Sequence, residues 1–386
     1  MSKHLRIWLF VLLGTLLTSS SLLAEGVITM TTTKRVGEDI YLGIKANGNV
    51  TIEGAQETGK TDNLDRKSYT LTSQMLTIRG DVKTLFCGSW DQLTSLDVSK
   101  NITLTELDCS CNDLTSLDLS QNTALRYLDC GLNQLTSLDV SKDTALTELG
   151  CSGNRLTSLD VSQNTALTYL NCSANRLTSL DVSKNTALTK LECDENQLIS
   201  LDVSKNTALT KLICLDNQLK SLDVSKNIAL TDLDCGLNKL TSLDLSGCPS
   251  LTKLDCQINQ LTSLELSDCT SLTKLYCQNN QLTSLDMSKN TALETLYCNS
   301  NKLTNLNVSG CARLNALYCY SNCINGKAMT KLVNSLPNRR KKSRGTLVVI
   351  DRSSERRDKN RCSAADVTTA KRKNWEVLKN KRIMAG

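Results

Sequence analysis

The stretch from Leu104 to Ala124 reads LTELDCSCNDLTSLDLSQNTA, and it decides the fold because the chain repeats it. Its spacing, LxxLxLxxNxL with cysteine at the third apolar position, returns every 21 residues through the middle of the chain. Regular self-similarity at this period predicts stacked repeats that share one continuous interior, rather than a single compact core. The cysteines stand at the same place in eleven successive units: Cys109, Cys130, Cys151, Cys172, Cys193, Cys214, Cys235, Cys256, Cys277, Cys298 and Cys319.

An asparagine follows three residues after each of these cysteines. Alternation in the segment LxLxC points Leu107 and Cys109 inward from a short strand, and Glu106 and Asp108 outward. We therefore predict a parallel sheet with one strand per repeat, in which the asparagine amides satisfy backbone groups where each strand bends away. The asparagines are Asn112, Asn133, Asn154 and Asn175, and then Asn196, Asn217, Asn238, Asn259, Asn280, Asn301 and Asn322.

The cysteine column is predicted to be a row of buried thiols. Adjacent repeats would bring the cysteine Cα atoms to about 5 Å, which is within disulfide range. Stacked residues nevertheless direct their Cβ atoms in parallel, which suits an S–S bond poorly, so we expect small hydrophobic side chains. A line of metal sites is the alternative, but zinc ligands cluster around a point, so no metal or cofactor is predicted.

The second half of each repeat, LTSLDVSKN, carries its own asparagine, as at Asn122. Four repeats replace this asparagine, and we expect the replacing cysteines to cap the same turn: Asp143, Cys248, Cys269 and Cys311. The aspartates of LDVS form a line of single carboxylates. A calcium ion requires six to eight oxygens around one point, so backbone or Lys/Ser pairing is the expected role of these aspartates.

These repeats resemble those of bacterial secreted leucine-rich-repeat proteins of the 21-residue class, and they are similar to the internalin J type, whose repeats also carry a cysteine column. The flanking segments ITMTTTK (28–34), LTIRGDV (76–82) and GTLVVID (345–351) resemble flanks of such proteins. The resemblance implies a leucine-rich-repeat solenoid with a parallel sheet on its concave face and little helix. It also implies a secreted or cell-surface protein, with a periplasmic location as an alternative, that binds other proteins.

Four domains are predicted. Residues 1–24 have a basic start and an apolar stretch, as in a secretory signal peptide, and an uncleaved anchor is the alternative. Residues 25–85 alternate apolar and polar side chains between glycines, which predicts a β-rich N-terminal cap. Residues 86–325 form the solenoid of about 11 repeats, and residues 326–386 form a small α/β C-terminal cap. No transmembrane segment is expected in the mature chain.

The C-terminal segment is strongly basic. Residues 327–386 contain 18 Lys and Arg against 5 Asp and Glu. Because the whole chain is +6, the rest of it carries −7. Solvated basic surface is one interpretation, and binding of an anionic glycan or of an anionic envelope surface through this cap is the alternative function. No aromatic interleaving accompanies the charge, so specific nucleic-acid binding is not predicted.

A binding surface is predicted from variation among the repeats. The LDVS half scarcely changes, whereas the outward positions of the cysteine half differ from repeat to repeat. Tyrosine is enriched at binding hot spots, but stacked rings that stabilise the sheet are the alternative interpretation. The candidate partner-binding residues are Tyr276, Tyr297, Tyr318, Tyr320, Lys253, Lys274, Asp234 and Asp255.

Catalysis is not predicted. The chain has one histidine, His4, which lies in the expected signal peptide. Without an imidazole, the remaining chain has no Ser-His or Cys-His nucleophile pair and no histidine metal ligand. The tripeptide Arg79-Gly80-Asp81 spells an integrin-recognition sequence, which occurs often by chance, and we expect it between a strand and the first repeat. The leading hypothesis is an exported, adhesin-like, non-enzymatic protein that binds another protein through its concave face.

Overall fold

The fold was analysed in a computed structural model that describes residues 26–88, 91–351 and 358–380. The predicted signal peptide lies outside these residues. The centre of the molecule is a parallel β-solenoid of eleven turns, as the sequence predicts. Among the described residues, no helix is both long enough and apolar enough to cross a membrane.

The N-terminal region consists of antiparallel strands. They are β1 (Val27–Thr32), β2 (Asp39–Glu53), β3 (Ala55–Thr61), β4 (Lys67–Leu71) and β5 (Met75–Phe86), followed by β6 (Leu93–Asp97). Strand β1 lies between β5 and β6, while β2 pairs with both β4 and β5.

Each solenoid turn contributes one strand of three residues to the main sheet. These strands are β7 (Glu106–Asp108), β8 (Tyr127–Asp129), β9 (Glu148–Gly150), β10 (Tyr169–Asn171), β11 (Lys190–Glu192), β12 (Lys211–Ile213), β13 (Asp232–Asp234), β14 (Lys253–Asp255), β15 (Lys274–Tyr276), β17 (Thr295–Tyr297) and β19 (Ala316–Tyr318). On the opposite side, β16 (Ser284–Asp286) and β18 (Asn305–Asn307) form a separate two-stranded parallel sheet.

The end of β5 pairs in parallel with β7, so the N-terminal strands continue directly into the solenoid sheet. Leu85 of β5 is opposite Leu107 of β7, one turn along. This pairing covers the first apolar layer of the solenoid, which would otherwise be exposed at its open end. Since the sheet is continuous here, the domain division at residue 85 remains a prediction.

The C-terminal region covers the other end. It contains α1 (Gly326–Ser335), β20 (Gly345–Asp351), α2 (Ala364–Arg372) and β21 (Trp375–Asn380). Strand β20 extends the parallel sheet from β19, and β21 pairs with β20. Ser363 and Asp366 form a reciprocal capping box that begins α2. The described part of this segment therefore combines helices and strands, as the predicted α/β cap requires.

The interior is a single apolar core that runs the length of the solenoid. Leucines, valines and cysteines from every turn are fully buried, and the eleven repeat cysteines each have 0% exposure. All cysteines of the described residues are free thiols. Burial raises the pKa of the thiol of Cys193, and of its neighbours in the column, well above the ordinary value. These thiols are therefore protonated, unreactive parts of the core.

Candidate functional site

The residue directly before each buried cysteine lies on the outer side of the sheet, where all are half-buried except Asp255, which is only 9% exposed. These residues are called column A: Asp108, Asp129, Gly150, Asn171, Glu192, Ile213, Asp234, Asp255, Tyr276, Tyr297 and Tyr318. The residue two positions earlier in each turn belongs to column B, which includes Lys253 and Lys274. Columns A and B together form the variable face, which differs in chemistry from turn to turn.

Three tyrosines of column A lie on consecutive strands in register. Tyr276 is opposite Tyr297, and Tyr297 is opposite Tyr318. The ring centroids of Tyr297 and Tyr318 are 4.1 Å apart with an interplanar angle of 9°, and those of Tyr276 and Tyr297 are 5.3 Å apart at 33°. The rings form a stack along the sheet. Burial among the neighbouring rings raises the pKa of the Tyr297 hydroxyl, so it stays protonated at neutral pH.

Tyr320 lies two residues beyond Tyr318, where the chain has left the strand, and it is half-buried. It is close enough to Tyr297 to influence the protonation of that hydroxyl. The structure therefore brings the four candidate tyrosines into one patch at the C-terminal end of the solenoid sheet.

The acidic candidates continue the same column. Asp234 and Asp255 are opposite each other on β13 and β14, and Asp255 is opposite Tyr276 on β15. Burial and the neighbouring Asp234 raise the pKa of Asp255 to about 6, and burial also raises the pKa of Asp234.

The lysine candidates lie in column B, where Lys253 is opposite Lys274. Lys253 forms an ion pair of 3.6 Å with Asp232, and Lys211 forms a shorter one of 2.7 Å with Glu192. These pairs are partly exposed, so they contribute little to stability and remain available to a partner's charges.

A third set of variable positions was missed by sequence reasoning. Two residues after each cysteine, the chain adopts a left-handed backbone conformation, and we call these positions column C. Leu132, Leu237 and Ile258 occupy column C and are 52%, 36% and 43% exposed. The repeat-to-repeat variation that identified columns A and B was also present in column C, and it was the signal that could have found these side chains.

The remaining sequence candidates have structural partners. Aspartates of the LDVS line, such as Asp160 and Asp202, accept a hydrogen bond from the backbone N–H two residues later. No group of three or more potential metal ligands is assembled in the part of the chain that the structure describes. The thiols of Cys248 and Cys311 donate to backbone carbonyls at 3.7 Å and 3.2 Å, as an asparagine does in other turns.

The position expected for Arg79-Gly80-Asp81 was wrong. The tripeptide lies inside β5 rather than between a strand and the first repeat. Arg79 pairs with Glu53 at 3.0 Å, and Asp81 accepts hydrogen bonds from Asn47 and Thr103. The error arose because glycine is a weak strand former, whereas here it allows close approach to the backbone oxygen of Asn49. Both charged side chains are engaged within the molecule.

In the basic C-terminal segment, Arg339 is an interior residue. Its guanidinium donates to the backbone oxygens of Leu314 and Ser343 and lies 5.9 Å from the centre of the buried Trp375 ring. Arg344 lies 4.0 Å from Glu376 at the surface. One of the segment's cations is therefore structural. No observation here favours glycan binding over solvated surface.

The geometry defines a class of protein, a parallel solenoid with an invariant interior and one chemically individual face. A family model described as leucine-rich repeats (2 copies) matches residues 249–290. The functional domain of InlJ (internalin J) from Listeria monocytogenes, whose description includes a cysteine ladder, is 34% identical, with a TM-score of 0.50. That match covers 73% of this chain and 78% of the other. The chain belongs to the leucine-rich-repeat family.

Two further solved structures share the fold. An internalin, InlF, from Listeria monocytogenes is 19% identical with a TM-score of 0.64, and covers 78% of this chain and 87% of its own. A leucine-rich-repeat protein of Leptospira interrogans is 22% identical with a TM-score of 0.57, over 75% and 82%. No curated protein matches the sequence closely enough to count as a relative. Leucine-rich-repeat solenoids are generally non-enzymatic scaffolds for protein interaction.

Proposed function

We propose that the chain is an exported, adhesin-like protein that binds another protein through its variable face and performs no catalysis. The observation that carries the proposal is the stack of Tyr276, Tyr297 and Tyr318 on the sheet surface. Three partly exposed rings present a large, rigid contact area that loses little side-chain entropy when a partner binds.

Export is the second part of the proposal, and it is supported by the sequence of residues 1–24 alone. Fusing these residues to an alkaline phosphatase that is active only outside the cytoplasm tests it directly. Phosphatase activity is expected with residues 1–24 and not with the same fusion lacking them. Equal activity of the two fusions would contradict export by this segment.

Binding is tested with an array of purified extracellular and bacterial surface proteins. The variant Tyr297→Ala/Tyr318→Ala removes two rings of the stack without changing a buried side chain. We expect at least tenfold weaker binding to any protein that the unchanged chain captures, with a similar far-UV circular dichroism spectrum and melting temperature.

The matched control is Ser158→Ala/Ser179→Ala, which alters two exposed positions of the uniform LTSLDVSKN half. This control is expected to bind like the unchanged chain. If both double variants bind equally well, the tyrosine stack only stabilises the sheet, and the proposed location of the binding surface is wrong.

A further inference from the structure

Apolar side chains are exposed beside the acidic part of column A. Leu237 and Ile258 occupy column C on neighbouring turns, where their backbones are tied to the next turn by hydrogen bonds of 2.9 Å and 3.0 Å. Half-buried Leu215 lies over Gly236, with a methyl carbon 3.0 Å from where a Cβ of Gly236 would be. The missing side chain at Gly236 allows Leu215 and Gln257 to pack closely over its backbone.

The backbone at these positions is unfavourable for the residues that occupy it. The φ angles of Leu237 and Ile258 are 48° and 52°, in the left-handed region, which is uncommon for residues other than glycine and is strained for a β-branched residue such as Ile258. Other turns place Gly153 or Asn279 at the same position, and these residues tolerate the conformation. The turn therefore requires the backbone conformation but not an apolar side chain, which leaves the apolar side chains available for a role outside the fold.

Two carboxylates border this apolar strip. Asp234 accepts a hydrogen bond from the backbone N–H of Gly236 at 3.2 Å, and Asp255 accepts from the backbone and side chain of Gln257, both at 3.1 Å. Lys253 pairs with Asp232 at 3.6 Å, and its charge also favours the ionised forms of Asp234 and Asp255. The two carboxylates are neighbours on adjacent strands, so a further cation would reduce the repulsion between them.

The tyrosine stack begins at the next strand. Asp255 is opposite Tyr276, so an aromatic ring adjoins the carboxylate pair on the side away from Asp234. A guanidinium can donate to carboxylates and also stack on an aromatic ring, which a metal ion cannot do. Within the described residues, no third carboxylate or thiol completes a metal site here.

We propose that the surface formed by Asp234, Asp255, Leu237, Ile258 and Tyr276 binds an extended protein segment with adjacent basic and apolar side chains. The arginine or lysine of that segment lies against the two carboxylates and Tyr276. The neighbouring large apolar side chain packs on Leu237 and Ile258. This inference rests on the proposed function, because it specifies the partner chemistry for the same face of the sheet.

The test uses the full purified chain and a displayed library of random ten-residue peptides. We expect enrichment of peptides with arginine or lysine within two residues of leucine, isoleucine or phenylalanine. The variant Asp234→Asn/Asp255→Asn should bind an enriched synthetic peptide at least tenfold more weakly. For the unchanged chain, raising sodium chloride from about 0.05 to 0.5 M should weaken binding severalfold, because the contact is partly ionic.

The charge-matched control is Asp139→Asn/Asp160→Asn, which removes the same charge from exposed aspartates of the LDVS line. It should bind the peptide like the unchanged chain. A second variant, Ile258→Asn, replaces the strained isoleucine with a residue that tolerates its φ. Its melting temperature should be unchanged or higher, while peptide binding weakens at least fivefold.

Three results would overturn the inference: no enrichment, enriched peptides without basic residues, or equal losses in the two aspartate double variants. Failure of this inference can be distinguished from failure of the proposed function. If captured proteins or peptides lose affinity with Tyr297→Ala/Tyr318→Ala but not with Asp234→Asn/Asp255→Asn, the variable face still binds proteins and the basic-apolar partner is wrong.

Discussion

The two asparagine columns of the repeat fill similar turns but use their amides differently. In the cysteine half, the Asn196 side chain accepts from the backbone N–H of Leu177 at 2.9 Å and donates to three carbonyls. In the LDVS half, Asn206 donates to the carbonyls of Val182 and Asn185. Its buried side-chain oxygen has no hydrogen-bond partner among the described residues. One column requires a donor and an acceptor, and the other requires only a donor.

This difference explains which positions vary. The eleven asparagines of the cysteine half are never replaced, because no other side chain of that size both accepts and donates in these directions. In the LDVS half a cysteine supplies the donor at Cys248, Cys269 and Cys311. Asp143 is the exception, since a carboxylate has no proton to donate. Three of the four predictions that follow test this comparison, and the other tests the cysteine column.

The largest effect is expected for Asn196→Ala. This change leaves the buried backbone N–H of Leu177 without its partner and removes one of the donors to each of three carbonyls, which we expect to cost about 3 kcal/mol of unfolding free energy. The matched change Asn206→Ala, in the donor-only column, should cost about half as much. Urea unfolding followed by circular dichroism measures both. Equal losses would mean that the acceptor contact of Asn196 contributes nothing.

Cys193→Ser tests whether the ladder thiols act as apolar core. A serine hydroxyl is strongly polar, and in a site with 0% exposure it should cost about 2 kcal/mol. Cys111→Ser, at a half-buried cysteine outside the ladder, is the control and should change stability by less than about 0.5 kcal/mol. Comparable losses of stability in the two variants would show that burial of the cysteine column does not determine the cost of a polar replacement.

Asp143→Asn should stabilise the protein. Asn164, one turn later, donates to two carbonyls at 2.9 Å, whereas both side-chain oxygens of Asp143 lack a hydrogen-bond partner in the described structure. Restoring the amide should add about 1.5 kcal/mol at pH 8.

The pH dependence of this gain follows from the carboxyl group. Burial raises the pKa of Asp143 to about 7 from 3.8. Folding therefore favours the protonated acid, so the contribution of Asp143 to stability is fully present below about pH 4 and is lost as the pH rises through 7. The advantage of the variant should shrink as the pH is lowered from 8 to 4. Thermal melts at both pH values measure it, and a pH-independent difference would contradict this protonation.

The smallest effect is expected for Asn206→Cys. A thiol is already the donor at three equivalent positions, so the cost should stay below about 1 kcal/mol. The matched change Asn196→Cys, in the other column, should cost about 2 kcal/mol or more, because a thiol cannot replace the acceptor contact. Similar costs at the two sites would remove the distinction between the columns.

Much of the architecture follows from the 21-residue spacing. A cysteine column in register with an asparagine column can be buried only if identical layers stack, so the eleven turns and the parallel sheet follow from the pattern. The α/β character of the C-terminal segment was also predictable from its sequence. Arg79-Gly80-Asp81 was predicted outside a strand because glycine has a low strand propensity. In the structure, the pairing of β5 with its neighbours includes the tripeptide in the sheet.

The candidate surface was only partly predictable. Tyr276, Tyr297 and Tyr318 share a column because they recur at the repeat period. That their rings stack, with centroids 4.1 Å apart for the second pair, depends on rotamers that the spacing does not fix. Leu237 and Ile258 lie in a column that varies between repeats, but the left-handed backbone at these positions is not reported by the apolar pattern of the sequence.

The sequence by itself determined the repeat, the buried layers and the order of side chains along the variable face, because a fixed period converts position in the chain into position in the stack. Only the tertiary structure decided how the two asparagine columns share their hydrogen bonds, and which apolar side chains lie beside Asp234 and Asp255. Those features depend on contacts between neighbouring turns and on local backbone angles. The same residue type can therefore be a structural cap in one half of the repeat and replaceable in the other.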